Sequence, residues 1–280
     1  MKLQTLVSTQ VLAGHLDDPD WIVLDCRHEL FKPDAGSADY ATSHIPGAHF
    51  MHLDRDLSGT KTGANGRHPL PDPAAFATTL GAAGIDEGKQ VVAYDSQENV
   101  NASRLWWMLR WLGHDAVAVL DGGWRRWVEE KRLCSAEIPR PAPTPFLPRL
   151  RGGCVDVQFV LLHLDDPEVF VLDARSPARF RGESEPIDPV AGRIPGSANR
   201  FYRDNLDQQG RFKPAARLRA EFEALLAGRP VEQIVHSCGS GVSTCHNMLA
   251  MEIAGLPGSR LYPGSWSEWC ADPARPIARG

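Results

Sequence analysis

Four short motifs occur twice in this chain, in the same order and at nearly the same separation. Asp25 and Asp173, for example, occupy the same position in LDCR and LDAR, 148 positions apart. Four ordered matches at nearly one separation indicate an internal repeat, in which each copy forms a similar structural unit. The paired segments are Trp21–Arg27 with Val169–Arg175, His44–Ala48 with Arg193–Ser197, Val91–Asp95 with Ile234–Cys238, and Gly122–Trp124 with Gly264–Trp266.

A proline-rich segment, Pro139–Pro148, separates the two copies. Its five prolines fix φ and remove backbone N–H donors, so it predicts an extended connection rather than a helix or strand. A chain of 280 residues has room for two domains of roughly 100–200 residues each. We therefore predict one domain over residues 1–138, a linker over 139–150, and a second domain over 151–280.

Each copy alternates short apolar runs with stretches of helical character. The runs are rich in β-branched residues and end at turn or charged residues, as is typical of buried parallel strands. The alternation predicts an α/β fold with two similar domains, each an open, mostly parallel sheet with helices on both faces. In such sheets the functional residues lie beyond the carboxyl ends of the strands. The predicted strands are Trp21–Leu24, Gln90–Tyr94, Val117–Leu120, Val169–Leu172, Gln233–His236 and Ser259–Tyr262, and the predicted helices include Ala102–Leu112 and Ala215–Leu226.

Composition and charge argue against several classes of protein. The net charge of -5 lacks the basic excess of a nucleic-acid-binding protein. No apolar run approaches the roughly 20 residues of a membrane-spanning helix, and the N-terminus lacks the apolar core of a signal peptide. None of the six cysteines forms a Cys-x-x-Cys pair, which argues against a zinc ribbon or a thioredoxin-like site. We therefore expect a cytoplasmic protein that binds neither nucleic acid nor membrane.

One cysteine stands at a predicted strand end and is followed by glycines. Cys238 begins the loop Cys238–Ser243, after which a helix is predicted. Gly239 and Gly241 let the backbone curl so that amide N–H groups point inward, and the helix N-terminus adds positive potential. Such surroundings stabilise a thiolate or a persulfide, both of which are anions. The plain alternative is a small buried cysteine without a chemical role. A phosphatase-type loop would need an arginine where this chain has Thr244, so phosphate chemistry is disfavoured.

Several motifs together resemble one known family. They are Leu24–Arg27 and Leu172–Arg175, His44–Gly47 and Ile194–Gly196, Phe180–Gly182, Cys238–Val242 and Tyr262–Trp266. Over nearly the whole chain they are similar to the tandem-domain rhodaneses, a family of sulfurtransferases. The resemblance implies two similar domains, of which only the C-terminal one is catalytic. Asp95 stands where Cys238 stands in the second copy, so the first domain is expected to lack the nucleophile.

The residues that follow the cysteine bear on the sulfur donor. Family members that use thiosulfate typically have a basic pair there, whereas Gly239 and Ser240 resemble the 3-mercaptopyruvate sulfurtransferases. That resemblance implies that Ser240, His68 and Asp54 assist proton transfer. It also implies that Arg181 binds the carboxylate of the donor.

One position departs from that subfamily. A second substrate arginine is usual where this chain has Ile187, and a histidine is more usual where it has Arg193. Arg193 is therefore the candidate to supply the missing charge. The choice between 3-mercaptopyruvate and thiosulfate as the donor stays open on the sequence alone.

These features predict a two-step sulfur transfer. The Cys238 thiolate attacks the donor sulfur, pyruvate leaves, and a second thiol (or cyanide in vitro) takes the outer sulfur of the persulfide. The expected acceptor is thioredoxin or a small thiol, the expected protein is a monomer, and no metal or organic cofactor is implied. The alternatives are a thiosulfate:cyanide sulfurtransferase, a relay that takes persulfide from another protein, and an inactive binding module. The loop residues expected to hold the donor or the persulfide are Gly239, Gly241, Val242 and Ser243.

Overall fold

The computed structural model describes residues 2–280, which divide into two compact units. The second unit comprises Thr60–Pro69, Gly153–Gln208 and Phe212–Gly280, and the remaining described residues form the first. The main division therefore falls after Gly152. The segment Thr60–Pro69, however, lies in the first half of the sequence and belongs to the second unit.

The first unit is built from alternating strands and helices. Its elements are β1 (Leu6–Val7), α1 (Thr9–Ala13), β2 (Trp21–Asp25), α2 (Ala35–Thr42), β3 (His49–Phe50), α3 (Pro73–Ala82), β4 (Gln90–Tyr94), α4 (Val100–Trp111), β5 (Val117–Leu120) and α5 (Gly123–Glu129). The strands form one parallel sheet in the order β1-β5-β4-β2-β3. In its centre β2 pairs with β4 in register from Trp21 opposite Gln90 to Asp25 opposite Tyr94.

The second unit repeats this arrangement. Its elements are α6 (Val157–Leu162), β6 (Phe170–Asp173), α7 (Pro177–Arg181), β7 (Ala198–Asn199), α8 (Ala215–Leu226), β8 (Ile234–Ser237), α9 (Thr244–Ile253), β9 (Arg260–Leu261) and α10 (Ser265–Trp269), with short 3-10 helices at Tyr202–Asn205 and Val231–Gln233. The parallel sheet has the order β7-β6-β8-β9. This matches β3-β2-β4-β5 of the first unit, so the predicted α/β class with two similar domains is confirmed.

Local sequence chemistry explains where several helices begin. Asp72 accepts the N–H groups of Ala74 and Ala75, and Pro73 occupies the first turn of α3, where its missing N–H costs nothing. The longest helices, α4 and α8, have 12 residues each. Among residues 2–280, no helix combines the length and the apolar character needed to cross a bilayer.

The proline-rich segment is extended and lies against the first unit. The N–H of Thr144 donates to the carbonyl of Gly81, and the N–H of Arg149 donates to the carbonyl of Leu112. The side chain of Phe146 is buried between these anchors. The prolines remove donors that would otherwise need partners, and the N–H groups of Thr144 and Arg149 find backbone acceptors elsewhere in the first unit.

Strand β8 carries a fully buried histidine two residues before Cys238. Neither ring nitrogen of His236 has a hydrogen-bond partner among residues 2–280, and burial lowers the pKa of this side chain to about 3. In the unfolded chain His236 binds a proton below about pH 6.5, whereas in the folded protein its ring stays neutral down to about pH 3. Stability is therefore lost as the pH falls from about 6.5 to about 3. Within that pH range, we expect His236→Leu to reduce the slope of the free energy of unfolding against pH by about 1.4 kcal/mol per pH unit. Urea unfolding between neutral and acidic pH measures this slope, and an unchanged slope in the variant would contradict the expectation.

Candidate active site

Cys238 lies directly after strand β8, at the carboxyl end of the second sheet. Only 2% of the residue is exposed. Helix α9 begins at Thr244, so residues 238–243 connect a strand end to a helix N-terminus. Backbone N–H groups at such a position carry partial positive charge, and the loop is therefore suited to an anionic sulfur.

The start of helix α10 fixes the peptide planes of this loop. The N–H of Trp266 donates to the carbonyl of Cys238 at 3.0 Å, and the N–H of Ser267 donates to the carbonyl of Gly239 at 2.8 Å. In a trans peptide group the C=O and the following N–H point in opposite directions. The N–H groups of Gly239 and Ser240 therefore point away from α10.

Gly241 has a conformation and surroundings that no other residue fits. Its φ is +74°, and a Cβ at this position would lie 2.3 Å from the carbonyl oxygen of Pro263. Both the left-handed backbone and the steric overlap disfavour a side chain. We expect Gly241→Ala to lower the free energy of unfolding by about 2 kcal/mol or more and to reduce activity. Chemical denaturation and steady-state turnover measure the two effects.

Gly210 provides a matched control for this substitution. Its φ is also +74°, but nothing lies within 4 Å of the position of a Cβ. Gly210→Ala therefore reports the backbone strain alone, which costs about 1 kcal/mol. Equal destabilisation by the two substitutions would show that the close approach of Pro263 is unimportant.

A hydrogen bond joins two of the residues predicted to transfer protons. Nδ1 of His68 lies 2.7 Å from Oγ of Ser240, and both side chains are buried. His68 belongs to the segment Thr60–Pro69 of the second unit. The neighbouring backbone N–H of Arg67 donates to Oγ of Ser267 at 2.9 Å, which ties the segment to helix α10. The structure therefore places a hydrogen-bonded Ser–His pair on the Cys238 loop.

Two arginine side chains lie over Gly239. A Cβ at this glycine would be 3.1 Å from Nη2 of Arg67 and 3.5 Å from Nη2 of Arg179. Both guanidinium groups also form ion pairs with the buried carboxylate of Asp188. Neither arginine stands out in the sequence, although Arg67 directly precedes His68. The Cys238 loop is therefore flanked by two positive charges.

A third arginine, Arg175, is buried beneath the loop and acts as a structural cation. It pairs with Asp173 at 2.7 Å and with Glu185 at 3.3 Å, and its guanidinium lies 4.8 Å from the ring of Trp266. Burial acts to lower the pKa of Arg175, but the charges of Asp173 and Glu185 outweigh burial, so the pKa is raised. The nearby Cys238 side chain contributes least of the named causes to this upward shift of the pKa of Arg175.

The two arginines predicted to bind the donor have other contacts. The side chain of Arg181 is 45% exposed and pairs with Glu183 at 2.6 Å. The guanidinium of Arg193 lies 4.8 Å from the ring of Phe180 and donates to the carbonyl of Gly280. The donor-binding roles of Arg181 and Arg193 stay predictions.

The remaining predicted residues take different positions. Val242 is buried in the loop and Ser243 is the residue that precedes helix α9. Asp54 lies in the first unit, where its carboxylate is 3.9 Å from Nε2 of His28 and its N–H donates to Nδ1 of His52 at 3.1 Å. Potential metal-ligand atoms of His28, His52 and Asp54 lie within 4.8 Å of one another. Among residues 2–280 this is the one group of three such side chains that could hold a metal ion. The role of Asp54 in proton transfer stays a prediction.

The equivalent loop of the first unit holds an anion of its own. Asp95 follows β4 as Cys238 follows β8, and its carboxylate is buried. It accepts four backbone N–H groups at 2.7–2.9 Å, those of Gln97, Asn99, Asn101 and Ala102. Burial raises the pKa of Asp95 to about 6, although the four amides act to lower it. The fold thus directs backbone amides at an anion in this position.

Comparisons with known proteins agree with this geometry. The family model described as a rhodanese-like domain matches the chain twice, over residues 8–130 and 156–272. The chain is 47% identical to a protein of Pseudomonas aeruginosa named "Probable 3-mercaptopyruvate sulfurtransferase", over the full length of both, and 33% identical to the thiosulfate sulfurtransferase of Bos taurus, over 95% of this chain and 92% of that protein. The crystal structure of the 3-mercaptopyruvate sulfotransferase SseA from Escherichia coli superposes with a TM-score of 0.80 at 31% identity, covering 94% of this chain and 99% of that one.

Proposed function

Since this chain belongs to the rhodanese family and is a sulfurtransferase, we propose that it takes sulfur from 3-mercaptopyruvate and carries it as a persulfide on Cys238. The hydrogen bond between Ser240 and His68 is the observation that carries the choice of donor. Removal of sulfur from 3-mercaptopyruvate leaves an enolate, which needs a proton on carbon. Thiosulfate instead releases sulfite, which needs none. A buried Ser–His pair is suited to the first reaction.

In the proposed first step, the thiolate of Cys238 attacks the thiol sulfur of the donor. An S–S bond forms while the donor C–S bond breaks, and the electron pair of that bond leaves with carbon as the enolate of pyruvate. Ser240 and His68 deliver a proton to the carbon of the enolate. The Ser–His pair then regains a proton from the thiol of the donor. The products are a Cys238 persulfide anion and pyruvate, so atoms and charge balance.

The loop is proposed to hold the persulfide through its backbone. The four amides that bind the Asp95 carboxylate in the first unit support this, because the two loops are equivalent in the repeat. We assign this role to the loop residues Gly239, Gly241, Val242 and Ser243. In the second step a thiol, either a small thiol or that of thioredoxin, attacks the outer sulfur and restores the Cys238 thiolate. We further propose that the protein acts as a monomer in the cytoplasm.

The donor preference is tested by comparing the two donors on one preparation. We expect kcat/KM for 3-mercaptopyruvate to exceed that for thiosulfate by roughly 100-fold, the scale of general acid–base assistance. Intact mass after incubation with each donor should show a gain of one sulfur atom, which a thiol then removes. A preference for thiosulfate would overturn the donor. Slow turnover with both donors, combined with sulfur loading by a partner protein, would instead identify a relay.

A further inference from the structure

Arg67 presents the edge of its guanidinium group that best fits a carboxylate. Nη1 is paired with Asp188, whereas Nη2 is the atom closest to the position of a Cβ on Gly239. Nε is buried and has no hydrogen-bond acceptor among residues 2–280. Nε and Nη2 donate in parallel from one edge, the geometry in which arginine binds both oxygens of a carboxylate.

Arg179 is less suited to a two-point contact. Its Nε and Nη2 both donate to the carboxylate of Glu185, at 3.0 and 2.7 Å, so that edge is already occupied. Nη2 also lies 3.1 Å from Asp188. Arg179 can therefore contribute positive charge near Gly239 and a contact from Nη1, but not the edge that Arg67 offers.

The orientation of Arg67 is fixed from two sides. Its backbone N–H is held by Ser267, and its Nη1 is held by Asp188, whose side chain is only 3% exposed. An arginine that is held at both its backbone N–H and its guanidinium group loses little further freedom when a ligand binds. A buried N–H donor without an acceptor carries an energetic penalty that an anionic ligand would remove.

We propose that Arg67 determines donor specificity by binding the carboxylate of the donor through Nε and Nη2. This inference rests on the proposed function and deepens it. The contact selects an α-keto acid over an otherwise identical ketone, because only the acid supplies two coplanar oxygens with a negative charge. Arg67 lies next to His68 in the chain, so one short segment supplies both the carboxylate contact and the proton-transfer histidine.

The test uses two donors that differ in one group. Mercaptoacetone is 3-mercaptopyruvate with a methyl group in place of the carboxylate. We expect Arg67→Met to lower kcat/KM for 3-mercaptopyruvate by roughly 10- to 100-fold, mainly through KM, the scale of a charge-assisted contact. Turnover of mercaptoacetone should change by less than about twofold, since it makes no such contact. Arg67→Lys, which keeps the charge but lacks the two-point edge, should give an intermediate loss.

The ratio of kcat/KM for 3-mercaptopyruvate to kcat/KM for mercaptoacetone, measured on one variant, does not depend on how much of the protein is folded. Arg125→Met is the matched control, because Arg125 forms an exposed ion pair with Glu129 on helix α5 and should leave the ratio unchanged. An unchanged KM for 3-mercaptopyruvate in Arg67→Met, or an equal loss with both donors, would overturn the role of Arg67. Absence of sulfur loading in the wild-type protein would instead overturn the proposed function, so the two failures are distinguishable.

Discussion

Replacing Cys238 by serine is expected to abolish both sulfur loading and turnover. Serine preserves the size of the side chain, but its hydroxyl group does not ionise at neutral pH and cannot carry a sulfane sulfur. Because every turnover passes through the Cys238 persulfide in the proposed mechanism, we expect kcat to fall by at least roughly a thousandfold. Intact mass after incubation with 3-mercaptopyruvate should show one added sulfur atom in the wild-type protein and none in the variant.

The exposed thiol of Cys134 provides the control for this experiment. It is free and accessible, so it reports non-specific sulfur addition. Cys134→Ser should retain both the mass gain and the turnover of the wild-type protein. Sulfur transfer at the normal rate by Cys238→Ser would refute the mechanism. If Cys238→Ser still gained one sulfur atom, another cysteine would be the residue that takes sulfur from the donor.

The second large effect concerns stability and comes from the first unit. Asp95→Ala should leave four backbone N–H groups, three of them on buried residues, without the carboxylate that they now share. Each unsatisfied buried donor costs about 1–3 kcal/mol, although water entering the space relieves part of it. We therefore expect the free energy of unfolding to fall by about 3–5 kcal/mol, measured by chemical denaturation.

A carboxylate with a single exposed contact offers the comparison. The carboxylate of Asp86 accepts the N–H of Gly88 at the surface, and Asp86→Ala should cost less than about 1 kcal/mol. Asp95→Asn keeps one acceptor oxygen but brings an amide donor against the backbone donors, so it should lie between wild type and alanine. Equal stabilities for the Asp95 and Asp86 variants would show that the amides of the first loop do not depend on the carboxylate.

The sequence predicts the sheets well because their signals are local. Short runs such as Gln90–Tyr94 and Val117–Leu120 are mostly apolar, and the strands have these bounds in the structure. The repeat then places equivalent strands in both units, and it aligns Asp95 with Cys238 before any coordinates are considered. The strand assignments depend on neighbouring residues in the chain, which is where hydrophobic periodicity is informative, and the repeat depends only on short motifs that recur.

The choice between neighbouring arginines could not be made in the same way. Arg179 and Arg181 both lie in helix α7, two residues apart, and such positions point in directions about 200° apart. Which direction faces the Cys238 loop depends on how the helix packs, and no local pattern in five residues encodes that. In the structure the side chain of Arg179 is 16% exposed and that of Arg181 is 45% exposed.

Arg67 escaped prediction for a different reason. Its proposed role depends on the packing of Thr60–Pro69 with residues more than a hundred positions later, such as Asp188 and Ser267. Contacts of that sequence separation leave no periodic signal. The one available hint was its place beside His68, which the resemblance had already marked as functional.

The placement of Thr60–Pro69 in the second unit has an evolutionary consequence. An ancestral gene that encoded one copy would have had to supply every active-site residue from a single copy. Because Thr60–Pro69 of the first copy is part of the second unit and brings His68 to Ser240, we expect the second copy alone to lack the proposed Ser–His pair. The two copies are therefore expected to remain fused and to be selected as one gene, although only one of them retains the cysteine.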